Sequence, residues 1–157
     1  MTTFHDLLAG AAGELGINPE TLQGVDAIQI NFGDNRIVTI EKLDGREMVG
    51  ISALLCFMPD SSKLSALSQL LLEAHTFGYL TNDVVFGLDR NAGKVLMFKN
   101  LPLSVINSET LLAELSVFKE TYQTWKAAYD SGRLLDATSD GATVTAAPQD
   151  PASFAFA

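Results

Sequence analysis

Residues 25–57 restrict the fold more than any other part of the chain. In 25–32, Ile28, Ile30 and Phe32 alternate with Ala27, Gln29 and Asn31, the two-residue period of a half-buried strand. Gly33-Asp34-Asn35 turns the chain into 36–43, where Val38 and Ile40 alternate with Thr39 and Glu41. Asp44-Gly45 is a hairpin signal, because both residue types tolerate positive φ. The third strand, 47–57, begins by alternating and ends almost wholly apolar. Connections this short join antiparallel neighbours, so the stretch predicts a meander.

Helices flank it. Thr3-Phe4-His5-Asp6 reads as a capping-box start, and Phe4, Leu7, Leu8, Ala11 and Leu15 follow at helical spacing up to Gly16. Pro59-Asp60-Ser61-Ser62 breaks the chain and supplies caps for a helix over 62–75. Its Leu64, Leu67, Leu70, Leu71, Leu72 and Ala74 wrap beyond one stripe, and a helix apolar on two sides needs two partners. Strands follow at 83–88 and 94–101. The last helix, 108–131, repeats Leu111, Leu115, Phe118, Tyr122, Trp125 and Tyr129 in steps of four and three until Gly132. The order α-β-β-β-α-β-β-α predicts an α+β domain over 1–133, with helices packed on an antiparallel sheet. Residues 134–157 are Ala-, Thr-, Ser-, Asp- and Pro-rich without Lys or Arg, and read as a disordered acidic tail.

Charge excludes several partners. The net charge is −9, with eight acids against three bases in residues 1–57 and eight against seven in 58–133. No basic stripe exists for nucleic acid or an anionic membrane, and no apolar run is long enough to span a bilayer. The N-terminus lacks the features of a signal peptide, and one cysteine, Cys56, has no internal disulfide partner. Both point to the cytoplasm.

Signs of catalysis are scarce. His5 and His75 lie in different helices without ligand spacing, so no metal and no cofactor are expected. Cys56 lies in an apolar run and reads as a buried structural thiol. The stretch "GLDRNAGKV", residues 87–95, looks like a phosphate loop but fails as one. Five residues separate Gly87 from Gly93 where four are required, Val95 stands where a hydroxyl must hold magnesium, and the next segment is strand-like. It reads as a hairpin turn, with Gly93 at positive φ.

What remains is a surplus of apolar side chains. The order of elements, the acidic composition, the Leu-rich middle helix running into Phe77-Gly78-Tyr79, and the hairpin "VVFGLDRNAGKVLMFKNLPL" ahead of a long amphipathic helix carry a resemblance. Over about residues 3–133 the chain resembles the class I type III secretion chaperones, the Tir-chaperone (CesT-like) family. The resemblance implies a non-catalytic bacterial cytoplasmic homodimer. It would hold the N-terminal segment of a secreted effector extended and secretion-competent, with the secretion-system ATPase as a further partner. It implies effector contacts at Phe4, Leu7, Leu8, Ile28, Ile30, Phe32, Val38 and Ile40. It implies a dimer contact at Leu64, Leu67, Leu71, Val84 and Phe86, so that changing Leu67 or Leu71 to Asp should dissociate the dimer. A small-ligand domain or enzyme of similar architecture would need convergent polar groups that this sequence does not display. A regulatory adaptor on the same fold would bind a folded partner instead.

Overall fold

The computed structural model describes residues 3–139, with the backbone alone for 137–139. Helix α1 (Phe4–Leu15) starts at the expected capping box: Thr3 Oγ1 accepts from the Asp6 N–H while the Asp6 carboxylate accepts from the Thr3 N–H. A bond from the Thr3 hydroxyl to the same carboxylate, at 2.7 Å, and then the one from the Thr3 N–H hold the Asp6 carboxyl below its ordinary value. Gly16, at φ 67°, ends the helix. A 3₁₀ turn at Pro19–Leu22 leads into β1 (Ala27–Asn31), β2 (Ile37–Lys42) and β3 (Met48–Phe57). Then come α2 (Ser61–Ala74), β4 (Val85–Asp89), β5 (Lys94–Pro102), α3 (Ser108–Asp130) and α4 (Arg133–Ser139).

The five strands form an antiparallel sheet in the order β1-β2-β3-β5-β4, so the α+β architecture stands as the sequence predicts. In the meander Ile28 pairs with Ile40 and Ile30 with Val38, while Val38 in turn pairs with Ala53 and Ile40 with Ile51. The turn between β4 and β5 is the expected hairpin: Asp89 Oδ1 accepts from the Ala92 N–H, and Gly93 adopts φ 65°. Two boundaries differ from expectation. Asn82 and Asp83 both have positive φ, which no strand tolerates, so β4 starts at Val85 rather than at 83. The expected tail begins inside α4, where Leu134 is fully buried; its remainder from 140 lies outside the described residues.

The chain divides into two compact units. The first comprises Met1–Ala53 and Phe98–Glu120. Its buried side chains include Phe4, Leu7 and Leu8 of α1, Val38, Ile40 and Ile51 of the sheet, and Leu111, Leu115 and Phe118 of α3. Helix α1 and the start of α3 meet closely at Gly10, against the Ser108 side chain. Ser108 Oγ donates to the Leu7 carbonyl, and a Cβ on Gly10 would lie 2.1 Å from that Oγ. Gly10→Ala is therefore expected to destabilise by about 1–3 kcal/mol, as overpacking does. Gly13→Ala, with nothing within 4 Å, should stabilise by about 0.5–1 kcal/mol through helix propensity. Urea unfolding of the two variants reads the opposite signs.

The second unit comprises Leu54–Met97 and Thr121–Ala157. Its buried side chains include Leu67 and Leu71 of α2, Val84, Val95 and Met97, Tyr122 and Trp125 of α3, and Leu134 of α4. Two polar side chains of this core find partners, whereas the buried Thr81 hydroxyl has none among the described residues: Tyr122 donates to the Leu54 carbonyl at 3.2 Å, and Asn82 Nδ2 donates to Thr121 Oγ1 at 2.9 Å. Phe86 meets Trp125 edge-on, with ring centroids 4.9 Å apart.

Candidate functional site: two protein-docking surfaces

The first surface is the open edge of the sheet. Among the described residues, strand β1 has a neighbour on one side only. The Phe32 N–H donates to the Arg36 carbonyl at 3.0 Å and the Lys42 N–H to the Asp26 carbonyl at 2.8 Å, in register with Ile28–Ile40 and Ile30–Val38. Residues 26, 28, 30 and 32 are thus the ones bonded towards β2. Antiparallel alternation turns the N–H and C=O groups of Ala27, Gln29 and Asn31 to the open side. Such a row is a template for an incoming strand. On the face shared with Val38 and Ile40, Ile28, Ile30 and Phe32 stay half-buried. Lys119 of α3 lies over the Phe32 ring, 5.0 Å from its centroid.

Of the eight residues expected to touch an effector, only these three reach the surface. Phe4, Leu7, Leu8, Val38 and Ile40 are at most 4% exposed. They are core of the first unit, because the same two-residue and helical periods that mark a binding face also mark the inside.

The second surface lies on α2 and β4. Ser68, Leu71, Leu72, His75, Phe86 and Leu88 line an apolar depression, floored by Val95. Leu72 stands 70% exposed at its rim and Leu88 41%. Just beyond α2, Phe77 and Tyr79 are exposed with their rings 6.2 Å apart, and Phe77 takes φ 57°, unusual for so bulky a side chain. Of the five residues expected at a dimer contact, Leu67, Leu71 and Val84 are buried within the protomer. Leu64 and Phe86 are half-buried. Leu72 and Leu88, the exposed residues of this depression, are not among the five. Helical spacing could have found Leu72: Leu64, Leu67, Leu71 and Ala74 make one stripe, and Leu72 stands off it by about 100°.

Cys56, the one cysteine of the chain, is buried and not activated. Burial pushes the Cys56 thiol up, against the opposing bond from Tyr129. Burial first, and then the contact with Cys56, pushes the Tyr129 phenol to about 12. A thiol raised in this way is mostly protonated at neutral pH and a poor nucleophile. Among the described residues no group of three His, Cys, Asp or Glu side chains could hold a metal ion, and no helix is long and apolar enough to cross a membrane.

Solved structures share this fold. One is the ExsC–ExsE complex, matched at TM-score 0.59 and 22% identity over 78% of this chain and 90% of that chain. A second is the HopA1–SchA chaperone–effector complex, at TM-score 0.61 and 20% identity over 78% and 91%. A third is the heterodimeric ExoU–SpcU complex from the type III secretion system of Pseudomonas aeruginosa, at 0.57 and 17% over 80% and 96%. No curated protein sequence matches significantly. A family model matches residues 6–126, a span containing β1, α2 and β4. The chain belongs to the Tir chaperone protein (CesT) family.

Proposed function

We propose that the chain is a homodimeric chaperone for a type III secreted effector, holding the effector's N-terminal segment extended in the bacterial cytoplasm. Family membership makes it a chaperone rather than an enzyme. The observation that carries the finer reading is the pair of separate docking surfaces on one small chain. An open strand edge flanked by half-buried Ile28, Ile30 and Phe32 suits an extended segment, which gains main-chain hydrogen bonds along its length. The depression beside Leu72 and Leu88 suits a second copy, since an apolar knob and an apolar hollow on the same face are what a two-fold contact requires. One solved neighbour is a chaperone–effector complex, which supports an effector as the partner. The secretion-system ATPase is a further expected partner, which would receive the loaded chaperone.

The test is capture from the source bacterium with a tagged full-length chain. The expected result is a dimeric mass in solution and recovery of a secreted protein, bound through its first part. A monomeric mass together with recovery of no secreted protein overturns the reading.

A further inference from the structure

The rows of side chains across β1, β2 and β3 bear on what kind of segment the open edge takes. On the face opposite Ile28 and Ile30, Ala27 pairs with Glu41 and Glu41 with Gly50; the next row is Gln29, Thr39 and Ser52. Ala27 is exposed and presents only a methyl group at the edge. Glu41, one strand further in, makes no side-chain hydrogen bond or ion pair among the described residues. A strand added to β1 would set one residue beside Ala27, about 10 Å from the Glu41 backbone, two interstrand spacings away. A lysine or arginine at that position reaches over the methyl group to the carboxylate. Nothing shorter does, and an acid there is repelled.

The surroundings have the same sign. The first unit carries eleven carboxylates against five basic side chains, with Asp26 exposed next to the row. Lys42 sits on the other face, in register with Val49, and Lys119 is over Phe32 at the far end of the strand. Neither neutralises Glu41.

We infer that the open edge of β1 selects an extended segment with apolar residues at alternate positions and a basic residue on the opposite face, which reads Glu41 across Ala27. This rests on the edge-docking reading above and names the chemistry of its partner.

The test uses the full chain and two ten-residue peptides that alternate valine with threonine. One central threonine is replaced by lysine in the first peptide and by glutamate in the second. Fluorescence anisotropy at low salt is expected to show the lysine peptide binding about fivefold tighter, a preference that shrinks in 0.5 M salt, where the Debye length falls to only a few ångströms (roughly 3–5 Å). Glu41→Gln should erase the preference and Glu41→Lys invert it, with both variants keeping the wild-type circular dichroism. Equal binding of the two peptides, unchanged by Glu41→Lys, overturns the inference and leaves edge docking standing. Binding of neither peptide overturns both.

Discussion

Leu72→Lys is expected to give a folded monomer, and Leu67→Asp a chain that does not fold. Both leucines lie on α2, five residues apart, yet their surroundings differ completely. Leu67 is 0% exposed. Replacing it removes apolar packing that costs about 2–5 kcal/mol and buries a carboxylate without a partner, which adds several more. Against a total stability of about 5–15 kcal/mol, the fold is lost. Leu72 is 70% exposed, and a polar substitution at such a site changes monomer stability by about 0.5 kcal/mol. Lysine suits the position because it lies in the last turn of α2, where the helix dipole favours a cation. In a dimer the same ammonium would face the partner's apolar depression, desolvated and unpaired, together with its two-fold copy. Light scattering should give half the wild-type mass, with a thermal transition still cooperative. A dimeric Leu72→Lys protein would remove this face from the interface. The sequence alone points to Leu67 or Leu71 as the residue to change. The structure shows why that experiment would report on folding instead of association.

That contrast also measures how much was legible beforehand. Strand and helix periods are set by local geometry, so the order of elements, the Thr3–Asp6 cap, the Gly93 turn and the whole of α3 could be read directly. The family resemblance drawn from them holds over residues 6–126. Helix α4 was missed because Arg133-Leu134-Leu135-Asp136-Ala137-Thr138-Ser139 offers a single apolar pair and a composition typical of solvated chain. Leu134 becomes buried only because α4 packs on α2, a tertiary contact that no local pattern announces. The site was less legible than the fold for one physical reason. A period says which residues share a face and nothing about what covers that face. Val38 and Ile40 in β2 alternate as cleanly as Ile28 and Ile30 in β1, but β2 has strands on both sides and β1 on one. Exposure therefore follows strand order, which is a long-range property.

The edge can be closed without disturbing the core. Gln29→Pro is expected to abolish effector capture while leaving the fold nearly intact. The Gln29 side chain is exposed and its N–H points away from β2, so proline removes a donor that the isolated chain does not use. Ile28 before it already has the extended backbone that a following proline demands. The cost to the chaperone should be about 1 kcal/mol, from fitting the proline φ into the strand. For an incoming strand the consequences are larger. One of the three free N–H groups on β1 is gone, and the ring stands where the partner's carbonyl would approach, which is how natural sheets protect their edges. Ile30→Pro is the control. Its N–H is bonded towards Val38 in β2, so the same substitution one residue along should cost about 3 kcal/mol and loosen the meander. Capture assays and thermal melts on the pair give opposite patterns: Gln29→Pro loses the partner and keeps the melt, while Ile30→Pro lowers the melt. If Gln29→Pro still captures a secreted protein at the wild-type level, the segment does not bind by extending the sheet. Effector binding must then be sought on the second unit, where Phe77 and Tyr79 stand exposed.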